Sequence, residues 1–237
     1  MSLFGTGRRE GVFAAVGLAL CALAIHGIGA AMGLTEGLLG DQPLAEAMAT
    51  AHARVAAGEW PLWDPQGSGA PLWAHGAELL YPPWWLLGRG QDALWLPFLV
   101  AAHAALACVL AFRFLRSHGR SRYTAFVGGA AYGLCAHVGS LSGNLPELAA
   151  VAWAPLPVEL FLRFARSPDQ RLCGPLVAPA LAIPFLAGGT VTAGSVAVVL
   201  TAWWLRRMRR EPARRGAFLG AGVATLLVAL QIGRAHV

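Results

Sequence analysis

Residues 58–87 read GEWPLWDPQGSGAPLWAHGAELLYPPWWLL and hold five of the chain's nine tryptophans. They also hold five prolines, which remove backbone donors and fix φ, so neither a long helix nor a central strand can run through the stretch. The stretch is nevertheless too aromatic for a disordered linker. Trp and Tyr are enriched at the membrane–water interface, where the ring lies in lipid and its polar edge in water. The stretch therefore predicts an ordered, non-helical loop on a membrane surface, held between membrane helices.

The composition indicates a membrane protein, because 57% of the residues are hydrophobic, only 13% are charged and the mean hydropathy is +0.56. A soluble domain carries about a quarter charged residues. All eighteen basic residues are Arg and the net charge is +6, which in a soluble protein would suggest nucleic acid. Here the arginines cluster between apolar runs, so membrane topology explains them and no nucleic-acid partner is expected. The predicted fold class is all-α, a polytopic transmembrane helical bundle with a large, partly irregular first external loop.

The apolar runs predict where the chain crosses the membrane, since a hydrocarbon core needs about 20 residues of helix. We expect one domain over residues 1–230, with spans at 11–34, 93–115, 123–141, 148–164, 174–187, 190–205 and 216–230. The external loop is 35–92, and its part 41–57 repeats apolar residues at helical spacing, which predicts a helix along the interface. Two alternatives stay open. Residues 11–34 could be a cleaved signal peptide, and 174–205 could be a re-entrant hairpin that turns at Gly188-Gly189-Thr190.

Three local signals refine these spans. The span 123–141 is rich in Gly and Ala, which permits close helix packing. Pro155 and Pro157 interrupt the span 148–164. Glu159 lies four residues before Arg163, which predicts a local ion pair.

The arginines set the orientation, because cytoplasmic loops carry an excess of Lys and Arg. Fifteen of the eighteen fall before the first span or in the clusters 113–122, 163–171 and 206–215. With a cytoplasmic N-terminus all four groups are cytoplasmic. The external loop then keeps only Arg54 and Arg89 against seven acidic residues.

The last residues, 231–237, are predicted to be a non-native tail. One back-translation of 232–237, ATC-GGA-AGA-GCA-CAC-GTC, looks like a common sequencing-adapter sequence. We therefore expect the native protein to continue, and the alternative is an ordinary polar tail.

Carboxylates beside the outer face are the candidates for chemistry. The sequence has no Walker loop, GxSxG, HExxH or dinucleotide fingerprint, so ATP, NAD or serine chemistry of the soluble type lacks support. Asp41 follows the first span, and Glu147 lies between the third and fourth. Two carboxylates at a water-limited interface can act as general base and as ligand for a divalent metal or an acceptor hydroxyl. Asp41 can equally cap the following helix, and Glu147 can equally be a solvated turn residue.

The loop aromatics have two candidate roles. One is an interfacial belt of Trp60, Trp63, Trp73, Tyr81, Trp84 and Trp85. The other is a substrate groove, because sugar rings stack on such faces. The candidate substrate-binding residues are Trp60, Trp63, Asp64, Trp73, His75, Glu78 and Tyr81, together with the loop cations Arg54 and Arg89.

Several of these motifs occur together in one known family. Gly40-Asp41-Gln42 is followed by Gly58-Glu-Trp-Pro-Leu-Trp-Asp-Pro65, Gly69-Ala-Pro-Leu72 and Tyr81-Pro82. This resembles the YfhO-like bacterial membrane proteins, whose first external loop has a G-x-x-PLWNP, G-x-P, YP pattern; Asp64 stands where the pattern commonly has Asn. Residues 136–147 (AHVGSLSGNLPE), Trp153-Ala-Pro155 and Leu186-Ala-Gly188 are similar to its second outer turn, its W-x-P helix and its LAG element. The resemblance covers most of residues 11–205.

The resemblance implies an enzyme, since the family is similar to GT-C glycosyltransferases, which take a sugar from a polyprenyl-phosphate carrier at the outer membrane face. It implies that Asp41 takes the place of the first-loop catalytic Asp and that Glu147 is a second acidic site residue. The carboxylate would orient or deprotonate an acceptor hydroxyl while phosphate leaves the anomeric carbon, its charge balanced by basic groups or a divalent metal.

The implied partners are the lipid bilayer, a polyprenyl-phosphate-linked sugar and a cell-envelope glycan or lipid acceptor. The implied location is the bacterial inner membrane, with the N-terminus in the cytoplasm. Because Arg54 and Arg89 are the only cations of the loop, we expect the part beyond residue 230 to supply more, so that this N-terminal fragment is inactive alone.

The alternative is a non-enzymatic lipid-carrier flippase or transporter, or a structural cell-envelope membrane protein. A transporter would place polar groups along a path at mid-membrane depth, for which His26 and His103 are the candidates. An enzyme needs its acids at one outer surface, where Asp41 and Glu147 are predicted to lie.

Overall fold

The computed structural model describes residues 5–31, 43–59, 77–166 and 173–210, and all regular structure in these ranges is helical. The predicted all-α class is therefore confirmed. The α-helices are α1 Gly5–Ala31, α2 Pro43–Ala56, α3 Asp92–Ser117, α4 Arg122–Gly133, α5 Ala136–Ser140, α6 Leu145–Trp153, α7 Pro155–Arg166, α8 Cys173–Leu186 and α9 Thr190–Arg210. Short 3₁₀ turns cover Ala77–Leu80, Pro82–Leu86 and Leu141–Gly143.

Helix α3 is the centre of the bundle and packs against α1, α4, α6 and α7. Helix α4 lies against it through glycines. A Cβ atom on Gly129 would lie 2.7 Å from the carbonyl oxygen of Cys108, and one on Gly133 would lie 2.7 Å from the nitrogen of the same residue. The close packing predicted from the Gly-rich sequence is thus confirmed for α4, and Leu18 of α1 packs into the same cluster.

Helices α6 and α7 form one run that is interrupted at Ala154. Ala154 keeps helical angles (φ −52°, ψ −38°), but Pro155 and Pro157 have no N–H to donate, so the helical hydrogen bonds stop there, as the sequence predicted. The predicted ion pair is also present. Nη2 of Arg163 contacts Oε1 of the buried Glu159, and Nη2 of Arg113 lies 3.8 Å from the same oxygen.

The break predicted at residues 188–190 is present, with α8 ending at Leu186 and α9 beginning at Thr190. Gly188 has φ +93°, a left-handed conformation that costs glycine little because it has no Cβ. The predicted loop helix is also present as α2, which begins at Pro43 and packs on the bundle through Leu44, Met48 and Ala51.

The helices agree only in part with the predicted spans. Within the described residues two runs are long and apolar enough to cross a membrane, Asp92–Ser117 and Leu145–Arg166, and two shorter apolar helices cover Gly11–Ile25 and Leu176–Leu186. The predicted span 123–141 is not one helix, because α4 ends at Gly133 and Cys135 is extended (φ −70°, ψ 159°) before α5 begins. Glycine is a weak helix former, and the same glycines that allow close packing shorten this helix. The predicted span 216–230 lies outside the described residues.

The bundle has two chemically different ends. At the arginine end, where α3, α7 and α9 terminate, Nη1 of Arg166 donates to the carbonyl of Ser117 (3.3 Å) and Nη2 of Arg207 donates to that of Ala165 (3.2 Å). At the opposite end, the loop end, α3, α6 and α9 begin and α8 terminates. Residues 79–87, which we call the aromatic segment, and α2 pack there, since a Cβ on Gly88 would lie 2.7 Å from the Cα of Ala49.

Candidate functional site

The structure describes part of the predicted site. Glu147, Tyr81, Arg54 and Arg89 are described in full, and for Glu78 only the backbone is described, in the 3₁₀ turn Ala77–Leu80. The other predicted site residues lie outside the described ranges: Asp41, Trp60, Trp63, Asp64, Trp73 and His75. The part of the site that can be described is therefore the part of the loop end that packs on the helices.

Glu147 connects the start of α6 to the start of α9. Its Oε1 accepts a hydrogen bond from the backbone nitrogen of Val191 (3.0 Å), and its Oε2 accepts one from that of Thr192 (3.2 Å). These amides lie in the first turn of α9, where N–H groups have no helical partner and the helix dipole favours a negative charge. Asn144 in turn accepts from the nitrogen of Glu147 (3.3 Å). Glu147 thus caps a helix 44 residues further along the chain, and its catalytic role stays a prediction.

A close approach of two backbones makes this cap possible. A Cβ on Gly189 would lie 2.6 Å from the carbonyl oxygen of Pro146 and would collide with the Cβ of Ala150. Only glycine fits there, so the turn between α8 and α9 can lie directly on the first turn of α6. The amides that follow are then within reach of Glu147.

Tyr81 lies at the centre of a buried polar network. Its hydroxyl is 2.9 Å from Nε2 of His103 and accepts a hydrogen bond of 2.8 Å from Nε1 of Trp153. Nδ1 of His103 lies 2.7 Å from the carbonyl oxygen of Leu99. Tyr81 and His103 are both at most 5% exposed, so water does not compete for these bonds.

The direction of each hydrogen bond follows from its partners. The carbonyl of Leu99 can only accept, so Nδ1 of His103 carries the proton and Nε2 accepts from the hydroxyl of Tyr81. The indole of Trp153 can only donate, and it fills a lone pair on the same hydroxyl oxygen. When His103 is neutral, the N–H of its imidazole, the O–H of Tyr81 and the N–H of Trp153 each have an acceptor. A second proton on the imidazole would occupy Nε2, and the hydroxyl hydrogen of Tyr81 would lose its acceptor. The network is a closed set of contacts, and the predicted contact of Tyr81 with substrate stays a prediction.

Trp84 anchors the aromatic segment inside the protein. It is fully buried, and its Nε1 donates to the carbonyl of Ala187 (3.2 Å), in the turn that precedes α9. Its ring contacts those of Tyr81 and His103 at centroid distances of 4.9 and 5.2 Å. The expectation of an interfacial belt is therefore wrong for Trp84, because its polar edge finds a partner in the bundle and not in water.

The two loop cations lie on or beside α2. Nη1 of Arg54 contacts Oε2 of Glu59 at 3.1 Å, but the Glu59 side chain is 63% exposed, so this ion pair is weak. Arg89 is exposed, and its Nε lies 3.4 Å from Nε2 of His52. That nitrogen also lies 3.0 Å from the carbonyl oxygen of Leu87, to which it can donate, so we regard Arg89 as a neighbour of the imidazole and not as a donor to it.

The predicted divalent metal remains a prediction. Within residues 5–31, 43–59, 77–166 and 173–210, no three His, Cys, Asp or Glu side chains converge. Asp41, the carboxylate predicted beside the metal or the acceptor, lies outside these ranges.

The sequence did not identify His52 or the roles of His103 and Trp153. His52 joins α2 to the backbone of the aromatic segment, and the other two hold Tyr81. The only signals were a single histidine in an amphipathic helix, a histidine within a predicted span and the tryptophan of the W-x-P motif. None of these signals indicates which group of another element each of the three residues contacts.

Comparison with known proteins gives no family or function for these residues. No protein-family model, no curated protein and no solved structure matches the chain.

Proposed function

We propose that the chain is the N-terminal part of a polytopic membrane glycosyltransferase of the GT-C type. It would move a sugar from a polyprenyl-phosphate carrier to a cell-envelope glycan or lipid acceptor. The arginine end would lie in the cytoplasm and the loop end at the outer face of the bacterial inner membrane. The proposal joins the loop motifs described above to the way in which charge is distributed over the bundle.

The observation that carries the proposal is the separation of charge between the two ends. Arg113, Arg163, Arg166 and Arg207 come from three helices and meet at one end, through Glu159 and the backbone carbonyls of α3 and α7. Glu147 and the aromatic segment lie at the other end. Helix α3, one of the two runs long and apolar enough to cross a membrane, has 26 residues, about 39 Å at 1.5 Å per residue, which exceeds the ~30 Å of a hydrocarbon core. This distribution fits a bundle that crosses a bilayer with its arginines in the cytoplasm.

Exposed apolar side chains between the ends support a lipid environment. Phe13 on α1 is 74% exposed, Leu94 on α3 is 64% exposed and Val198 on α9 is 69% exposed. Large apolar side chains that are exposed on three helices are suited to contact with lipid or with another protein.

The proposed chemistry belongs at the loop end. Asp41 would orient or deprotonate the acceptor hydroxyl, as in the resemblance, and Glu147 would be the second acidic group of this end. Arg54 and Arg89, or a divalent metal, would balance charge on the departing phosphate. The cap made by Glu147 and the buried hydroxyl of Tyr81 hold the elements of this end in fixed positions, which a positioned base needs.

One observation favours a second candidate, a non-enzymatic lipid-carrier flippase or a structural cell-envelope protein. Both carboxylate oxygens of Glu147 are bonded to the first turn of α9, which is a sufficient structural reason for an acid at this position. The two candidate functions therefore differ in the role that they give to Asp41, which is a catalytic residue only in the glycosyltransferase.

The test compares the full-length wild-type protein with Asp41→Asn and Glu46→Gln in membranes supplied with polyprenyl-phosphate sugars. Glu46 is an exposed carboxylate on α2 and serves as the matched control. We expect Asp41→Asn to abolish transfer at unchanged expression, while Glu46→Gln transfers normally. Transfer that persists in Asp41→Asn would reduce Asp41 to a helix cap. Absence of transfer by the wild type over a broad set of donors would favour the flippase or structural protein.

A further inference from the structure

A groove lined by arginines opens at the arginine end, between the last turns of α7 and α9. It encloses about 210 Å³, and its cations are Arg166 from α7 and Arg206, Arg207 and Arg210 from α9. At ~30 Å³ for each water molecule, this volume corresponds to about seven waters, which is enough for a phosphate group and part of its hydration shell.

The guanidinium groups converge because the α9 residues recur at intervals of three and four, on one helix face. Two of the four are also held by backbone carbonyls. Arg207 donates to the carbonyl of Ala165 and Arg166 donates to that of Ser117, and each of these bonds uses one of the five N–H donors of an arginine. The groove is thus a positioned set of donors on the surface of the bundle.

The positive charge of this region exceeds its acidic charge. The acid Glu159 of α7 pairs with Arg163 and Arg113, which do not line the groove. From residue 159 to residue 215 the sequence holds nine arginines and three acidic residues. The planar fork of arginine fits the oxygens of a phosphate, so an organic phosphate is the anion that such a set favours.

An apolar strip leads out of the groove towards the middle of the bundle. Trp203 lines the groove and is 40% exposed, and Val199, one turn earlier on the same face of α9, is 47% exposed. A ligand that carries both a phosphate and a hydrocarbon chain would cover both surfaces, whereas free phosphate would contact only the arginines. Tryptophan is also typical of the depth at which headgroups meet acyl chains.

Simple topology does not account for this arrangement. The positive-inside rule requires arginines near the helix ends, and the helix dipole favours cations in the last turn. Neither requires four of them to surround one groove beside an exposed tryptophan.

We propose that this groove binds the phosphate headgroup of an anionic phospholipid in the leaflet at the arginine end. Basic pockets between membrane helices on the cytoplasmic side are suited to such headgroups. The proposal requires the membrane placement proposed above but does not depend on sugar transfer.

The test is native mass spectrometry of the full chain in detergent, titrated with phosphatidylglycerol or with phosphatidylcholine of the same acyl chains. Arg206→Gln/Arg210→Gln removes two groove cations. The matched control, Arg120→Gln/Arg209→Gln, removes two exposed arginines of the same end that do not line the groove. The Lys pair Arg206→Lys/Arg210→Lys keeps the charge and loses the planar fork.

We expect the wild type to bind phosphatidylglycerol in preference to phosphatidylcholine and the Gln pair in the groove to weaken that binding about 10- to 30-fold. The control pair should weaken it less than threefold, and the Lys pair should fall between the two. Equal losses in both Gln pairs would overturn the proposal, because nonspecific attraction would then suffice. Displacement of the lipid by millimolar inorganic phosphate alone would assign the groove to a free phosphate. Binding of both lipids without preference would overturn the proposed headgroup site but would be consistent with the proposed membrane placement. Binding of neither lipid would contradict both the headgroup site and the membrane placement.

Discussion

The hydroxyl oxygen of Tyr81 lies 2.9 Å from Nε2 of His103, and the two side chains come from the aromatic segment and from the central helix α3. The bond joins the aromatic segment to the helix against which most of the bundle packs. It thereby fixes the loop at a depth about 11 residues, or roughly 16 Å, along α3 from its first residue.

Replacing Tyr81 by Phe is expected to destabilise the protein by about 2–3 kcal/mol. The substitution keeps the ring but leaves Nε2 of His103 buried without a partner and removes the acceptor of the half-buried Trp153 indole. Thermal unfolding in detergent, followed by tryptophan fluorescence, measures the change. The control is Tyr123→Phe, since Tyr123 is 79% exposed and its hydroxyl can reach solvent. Equal midpoints for the two variants would show that the network adds no stability.

The same hydroxyl predicts how stability changes at alkaline pH. Burial raises the pKa of Tyr81 above its usual 10.0, and the hydrogen bond from Trp153 offsets only part of this. Above about pH 10 the unfolded chain releases a proton that the folded protein keeps, so the stabilisation is complete below that pH and is lost as pH rises through the folded pKa. The free energy of unfolding of the wild type should therefore approach that of Tyr81→Phe as the pH rises above 10. If the difference in free energy of unfolding between the wild type and Tyr81→Phe stayed constant above pH 10, the prediction would be contradicted.

Gly189→Ala is expected to destabilise the protein by about 1–3 kcal/mol, because the added methyl group collides with Ala150 and with the carbonyl of Pro146. Gly194→Ala, within α9 and five residues further along the chain, is the matched control. Nothing lies within 4 Å of its added methyl group, and alanine favours a helix interior by about 1 kcal/mol over glycine. The two variants should therefore shift the unfolding midpoint in opposite directions. A stabilising Gly189→Ala would mean that the turn and α6 can separate without cost.

Glu147→Gln is expected to cost about 1 kcal/mol. Glutamine keeps one acceptor oxygen but loses the second and the negative charge, and both act on the first turn of α9. Hydrogen exchange of the amides of Val191 and Thr192 reports this loss locally. Glu59→Gln, which removes an exposed partner of Arg54, should leave both amides unchanged. If exchange at these amides is the same in Glu147→Gln and in the wild type, the cap does not hold α9 in solution.

The features that were predictable from the sequence are local. Helical spacing predicted α2, the paired glycines predicted the turn before Thr190, and an interval of four residues predicted the bond between Glu159 and Arg163. Each depends on residues that are close in sequence, where periodicity and backbone preferences are decisive.

The contacts made by the candidate site residues were not predictable from the sequence, because they span long intervals. Trp153 and Tyr81 are 72 residues apart, and Glu147 and Val191 are 44 apart. No periodicity specifies that Tyr81 points into the bundle or that the oxygens of Glu147 face two amides. The same composition is compatible with a tyrosine in an interfacial belt and with a glutamate in solvent.

The bond between Trp84 and Ala187 has a consequence for biosynthesis. Its two partners are 103 residues apart, so the ribosome must add the whole of that interval before the indole can find its acceptor. At about 5–20 residues per second, this takes roughly 5–20 s. During that time Tyr81 of the aromatic segment can already bond to His103, but Trp84 has no acceptor yet. Trp84 therefore completes its contacts last, and a chain truncated before residue 187 would leave its indole N–H without this acceptor.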